Sequence, residues 1–297
     1  MAEVWTVRRE RSHRLLLQMM AWIALRLGRR AARLLLHPGT LYYLFTAGDS
    51  RRASQAYLRR VLDRKPRWRD VYWHMYTFAV VFLDRMYLLR GGSTGLSVQP
   101  HGVDAFRDCI ERGQGAIVMV SHLGSFEALR ALGGHRDDLT VRILMNWSAG
   151  AKVNAVLQHF APNFAERVID TSNSDVDRVL KVKAALDRGE LVGVMADRHY
   201  AGERTADCDF LGGSAPFPTA PWLLAGILGA PVFLAFGLYR GGDRYDLYCE
   251  QFSPGLTLPR KERMTRANAC AQGYADRLAE HVHKAPYNWF NFYQFWH

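Results

Sequence analysis

The sequence predicts an α/β protein, a mostly parallel sheet with flanking helices, preceded by a basic helical N-terminal region. Three observations carry that expectation. Beyond Gly91, short β-rich apolar runs alternate with helix-length segments, and alternation at this spacing implies crossover connections between parallel strands. Before about residue 90, leucine, arginine and aromatic residues recur with helical spacing. Hydrophobic residues make up 49% and charged residues 23% of the 297, which excludes a disordered, collagenous or coiled-coil chain. The change of pattern divides the chain into 1–90 and 91–297, within the usual size range for one large or two small folded units.

Taken in order, residues 1–90 are expected to form three or four helices, broken at His37-Pro38-Gly39 and at Lys65-Pro66, because proline lacks the helical donor and clashes with the preceding turn. Strands are expected at 116–120, 141–145, 167–169, 191–195 and 232–238. Helices are expected between them at 126–132, 152–159, 176–188 and 219–228, with a closing helix over 264–283.

The net charge of +11 is unevenly spread. The first 100 residues hold 18 basic and 6 acidic side chains, and the remaining 197 are nearly balanced. Such a basic region attracts nucleic acid, anionic lipid or an acidic protein. No recognised nucleic-acid-binding motif accompanies it, so nucleic acid is disfavoured as a partner. Residues 15–25 carry no charge and are followed by Arg26, Arg29, Arg30 and Arg33. That run is too short for the ~20 residues a membrane crossing needs. It reads as a basic amphipathic helix lying along an anionic membrane surface, or as a core helix with a solvated basic face. No small-residue cleavage site follows it, which disfavours a signal peptide.

Residues 211–239 contain no charge either, but Pro216, Pro218, Pro221 and Pro231 divide them into a loop, a helix and a strand, and they read as buried core. The four cysteines, Cys109, Cys208, Cys249 and Cys270, include no C-x-x-C pair. A disulfide scaffold and a cysteine zinc site are both disfavoured, and a reducing compartment fits. No metal and no cofactor is expected.

Parallel strands present their ligands at their carboxyl ends, so chemistry is sought there. The strand at 116–120 runs into Ser121-His122-Leu123-Gly124-Ser125-Phe126-Glu127. A tight turn at Gly124 can return the Glu127 carboxylate to the His122 imidazole, giving a general base with its orienter. The same pair also reads as a satisfied histidine at a strand end beside a glutamate that complements a helix dipole. Past the strand at 191–195 lie Asp197, Arg198, His199 and Tyr200, then Glu203 and Arg204. Arg198 and Arg204 can hold an anionic group or a developing oxyanion, or they are simply solvated.

Two other patterns compete. Gly91-Gly92-Ser93-Thr94-Gly95 has the G-x-S-x-G spacing of a serine hydrolase elbow, with Ser93 as nucleophile, but no buried strand precedes it and no helix follows. A linker is the better reading. His281-Val282-His283 has no third ligand in sequence and reads as the surface of the last helix. Seven of the last twelve residues are aromatic, which predicts core packing, with an acyl groove or a membrane interface as alternatives.

The ordered set His122-x-x-x-x-Glu127, the turn at Asp197, the turn Phe210-Leu211-Gly212-Gly213-Ser214-Ala215 and the apolar helix ending in Gly229-Ala230-Pro231-Val232 resembles the late lipid A (lauroyl and myristoyl) acyltransferases of the glycerophospholipid acyltransferase superfamily. The resemblance spans most of the chain. It implies acyl transfer from acyl carrier protein to a hydroxyl of a membrane lipid or glycolipid at the cytoplasmic face of the bacterial inner membrane. His122 and Glu127 would be catalytic, and Ser125, Asp197, Arg198, Arg204 and Gly212 would bind substrate. Backbone amides and Arg198 would stabilise the oxyanion. Ser125-Phe126 stands where those enzymes usually have Asn-Trp, and Asp197-Arg198 where they have Asp-Gln. These departures, with the aromatic C-terminus, look more like the branch associated with aryl-polyene lipid clusters. A serine hydrolase using Ser93 and a non-catalytic membrane-binding module are the alternatives.

Overall fold

The structure, a computed structural model, describes residues 14–90, 95–133, 140–147, 158, 162–172 and 174–296. Three helices come first: α1 (Arg14–Thr46), α2 (Gly48–Val61) and α3 (Trp68–Arg90). The break expected at Lys65-Pro66 separates α2 from α3. The break expected at Pro38 does not occur, because Pro38 lies within α1 and Leu34, whose carbonyl loses the proline as a partner, is exposed. The helical geometry is interrupted instead at Gly28, whose φ of 80° suits glycine alone. The uncharged run 15–25 falls in α1, and its side chains are outside the described ones.

Beyond α3 come β1 (Ser97–His101), α4 (Asp104–Glu111), β2 (Ala116–Val120), a 3-10 helix (Phe126–Gly133), β3 (Val141–Met145), β4 (Val168–Asp170), α5 (Asp175–Asp187) and β5 (Leu191–Met195). A hairpin of β6 (Thr205–Asp209) and β7 (Ser214–Pro218) follows, then α6 (Ala220–Leu228), β8 (Val232–Tyr239), β9 (Arg244–Ser253) and α7 (Arg263–Lys284). The expected strands all form, each within one residue of its expected limits. The expected helix at 152–159 lies outside the described residues apart from residue 158.

The seven-stranded sheet has the order β1-β9-β8-β2-β5-β3-β4. It is mostly parallel, since β8 and β9 form its one antiparallel pairing. Central strands bury both faces. Along β2, Ile117 and Met119 join the core beneath α2, α3 and α7, while Ala116, Val118 and Val120 join the core beneath α4. The uncharged run 211–239 forms β7, α6 and β8, and among the described residues no helix is long and apolar enough to cross a membrane. Pro221 in the first turn of α6 and Gly229 at its left-handed C-cap bound that helix.

His281 departs from its expected place. It is fully buried, with Nε2 3.0 Å from Glu250 Oε1, because it faces β9 rather than solvent; His283 is exposed.

Candidate active site

The register of β2 and β5 builds the centre of the site. These neighbouring parallel strands pair Val120 with Met195. Two residues past each lie His122 and Asp197, side by side at the carboxyl edge of the sheet. His122 Nδ1 is 2.9 Å from Asp197 Oδ1, and the His122 backbone N–H donates to Asp197 Oδ2 at 3.0 Å. An ionised carboxylate only accepts, so Nδ1 carries the proton and Nε2 keeps its lone pair. Asp197 is fully buried, whereas the His122 side chain keeps 30% of its surface exposed and is reachable.

Burial pushes the His122 pKa below its ordinary 6.5, the nearby Arg198 charge pushes the same way, and Asp197 partly restores it. The imidazole is therefore neutral at pH 7, as a base must be. Burial alone would raise the Asp197 carboxyl, but the charge and hydrogen bonding of His122 and the Arg198 charge bring it down to about 2.

The carboxylate against His122 is thus not the one expected. Glu127 is buried, accepts from Ser125 Oγ at 2.9 Å and forms an ion pair with Arg85 Nε of α3. The Gly124 turn does form, with φ 65°, but it carries the chain sideways onto β8 rather than back onto the imidazole. There the Ser125 N–H donates to the Gly237 carbonyl at 2.8 Å. A Cβ on Gly124 would lie 1.8 Å from that same oxygen, so only glycine fits.

The backbone amides around His122 are also engaged. The N–H groups of His122, Leu123, Gly124 and Ser125 donate to Asp197, Ser121, Asn288 and Gly237 respectively. Arg198 is differently placed. It is half-buried, donates Nη2 to the Phe290 carbonyl at 2.5 Å, and stands over the Tyr293 ring at 5.4 Å.

His122, Glu127, Arg85 and Arg198 line a cavity of about 280 Å³. Its remaining walls are largely aromatic: Phe78 and Phe82 from α3, Phe126, and Phe290, Phe292 and Tyr293 from the C-terminal segment. That segment divides its aromatics, with Trp289, Phe295 and Trp296 joining the core. The expected core packing therefore occurs, and the rest of the segment lines the cavity. Trp289, whose indole N–H donates to Asp197 Oδ2 at 3.0 Å, was missed in the sequence.

Two expected site residues lie apart. Arg204 is exposed and lines no part of this cavity; its carbonyl accepts from the Thr219 N–H and hydroxyl at the start of α6. Gly212 is an exposed turn residue between β6 and β7, with φ 72°. Ser93 is outside the described residues, but its segment joins α3 to β1, the reverse of the strand-to-helix order a nucleophile elbow needs. Among the described residues, no cluster of His, Cys, Asp or Glu could hold a metal ion.

No curated protein matches the chain as a relative. Residues 77–297, about three quarters of the length, match the model of the bacterial lipid A biosynthesis acyltransferases, a stretch that begins within α3 and takes in the whole sheet, His122, Asp197 and the aromatic C-terminal segment. The chain therefore belongs to the bacterial lipid A biosynthesis acyltransferase family, and its enzymatic class is acyl transfer.

Proposed function

We propose that the protein moves a fatty acyl group from an acyl carrier protein thioester to a hydroxyl of a membrane lipid or glycolipid, with His122 as general base and Asp197 as its orienter. The observation that carries this reading is the pairing of His122 Nδ1 with buried Asp197, which leaves the lone pair on Nε2 of a histidine that lines an aromatic-walled cavity. His122 takes the acceptor hydroxyl proton as the oxygen attacks the thioester carbonyl. The tetrahedral oxyanion forms beside Arg198, the cation left for it once the amides of 122–125 are engaged. Collapse breaks the C–S bond, and the departing thiolate takes the proton back from His122. No covalent acyl-enzyme forms.

The surroundings support a lipid acceptor at a membrane surface. On α1 to α3, Leu34, Tyr42, Phe45, Trp68 and Trp73 are exposed, and partly exposed Tyr43 and Phe78 also line the cavity. Apolar groups on a basic helical region suit an anionic interface, here the cytoplasmic face of the inner membrane. Residues 1–90 would be its membrane-associating part, although α3 also walls the site. Acyl carrier protein, an acidic donor, suits the same basic region. The glycerophospholipid acyltransferase-like fold and the aryl-polyene branch belong to this proposal too.

The test is the fate of the acyl label. Supplied with acyl carrier protein thioester and bacterial membrane lipid, the protein should place label in lipid, and Ser93→Ala should do the same. Label appearing only as free fatty acid, and lost in Ser93→Ala, would establish the hydrolase instead.

A further inference from the structure

We propose that Trp289 is a positioning residue, whose indole N–H fixes the Asp197 carboxylate against His122. This rests on the reading of His122 as the base. Asp197 is fully buried and accepts three hydrogen bonds: from His122 Nδ1, from the His122 backbone N–H and from Trp289 Nε1. The first two come from the residue being oriented. Trp289 is the donor that arrives from outside, and it settles which way the carboxylate faces.

The indole is itself held from several sides. Its backbone carbonyl accepts from His74 Nε2 at 2.8 Å, and His74 is tied to Ser54 Oγ at 2.8 Å. Burial pushes the His74 pKa down to about 4, so this link stays neutral through the working range. Leu123 and Trp289 form an antiparallel bridge, and the Phe290 N–H donates to the His122 carbonyl at 3.0 Å. The ring lies edge-on to Tyr57, Phe210 and Phe295 at 4.9 to 5.2 Å. The C-terminal segment and helices α2 and α3 thus set the indole, the indole sets the carboxylate, and the carboxylate sets the tautomer of the base.

Removing the N–H has a signed effect. A carboxylate relieved of one donor is left with its negative charge less compensated, and it favours the imidazolium beside it. The His122 pKa then rises, and the carboxylate gains freedom to turn.

Trp289→Phe removes the donor and keeps an aromatic ring. Trp296→Phe is the matched control: its buried indole donates to the Phe210 carbonyl at 2.9 Å and packs in the same cluster without reaching Asp197. Both variants are compared with the unaltered enzyme in acyl transfer from acyl carrier protein thioester, with kcat/KM followed against pH. In Trp289→Phe, kcat should fall about tenfold, as suits loss of a hydrogen bond to a charged group, and the acid limb should move to higher pH. Trp296→Phe should lower the unfolding temperature without moving the limb.

An unmoved limb in Trp289→Phe, with kcat within twofold of the unaltered enzyme, would reduce Trp289 to packing while leaving His122 in its role. Activity surviving in His122→Ala would instead remove the reading beneath it. If Trp289→Phe does not fold, the unaltered protein still decides. One of its eight tryptophan indole N–H resonances should titrate with the midpoint of the acid limb and cease to do so in His122→Ala. No indole titrating there would overturn the proposal.

Discussion

Asp197→Asn exchanges one buried oxygen for an amide of nearly the same shape. If the remaining oxygen keeps the two donors now on Oδ2, the His122 N–H and the Trp289 indole, the new NH2 falls where Oδ1 faced His122 Nδ1. Two donors cannot share that contact. His122 must move its proton to Nε2, and a protonated Nε2 cannot take a proton from a hydroxyl. A positioned base contributes about 10²- to 10⁴-fold, and forcing the wrong tautomer removes most of it, so kcat should fall about a thousandfold.

Stability changes with a definite sign as well. Asp197 lies at about 2 instead of its ordinary 3.8, so its contribution is present above pH 4 and is lost as pH falls through 2. Asparagine lacks that contribution, about 2 kcal/mol at pH 7, and its unfolding free energy should be flatter between pH 4 and 2. The assay is release of free acyl carrier protein thiol in the presence of membrane lipid, with urea unfolding in parallel. A folded Asp197→Asn enzyme keeping more than a tenth of the activity would refute the role given to Asp197.

Three further outcomes are expected. The acid limb of kcat/KM should lie below pH 6.5; Arg198→Gln should move it upward by removing a cation near His122, and should lower kcat about 10²-fold by removing oxyanion stabilisation, both read from one pH series. Asp84→Asn should cost about 3 kcal/mol in urea unfolding, because buried Asp84 is shared by Arg29, Arg33 and the Tyr245 hydroxyl, and its loss leaves the two guanidinium groups only the more exposed Asp243 as a carboxylate partner. Gly124→Ala should cost about 3 kcal/mol or more and abolish turnover, since a left-handed φ and a Cβ facing the Gly237 carbonyl force His122 off its register. Thermal unfolding and the thiol-release assay check the last.

The parallel core was legible because its strands are short apolar runs with turn residues at their ends. Of the strands not foreseen, β1 and β9 lack that signal. β1 contains Pro100 and is half-exposed, and β9 alternates buried Tyr245, Leu247 and Cys249 with polar Asp246 and Glu250, a period-two pattern suited to a strand with a solvated face. Pro38 misled because a proline's effect depends on the turn before it.

In the site, His122 and Asp197 were both legible as polar residues past strand ends, but their partnership was not, because sequence adjacency favours Glu127 and pairing depends on strand order. A signal did exist. Each residue stands two positions beyond its strand, and if those strands are parallel neighbours in matched register the two must meet. Trp289 carried no such cue: an indole in an aromatic tail reads as core until the carboxylate beneath it is seen.

The central claim is that His122 takes the proton from a lipid hydroxyl that receives the acyl group directly. The most direct measurement follows radiolabel from acyl carrier protein thioester into extracted bacterial membrane lipid, for the unaltered protein and for folded His122→Ala. Label in an ester-linked lipid that falls to background in His122→Ala is the predicted result. Lipid labelling that continues at more than about a hundredth of the original rate without the imidazole would contradict it, since loss of a positioned base costs about 10²-fold or more.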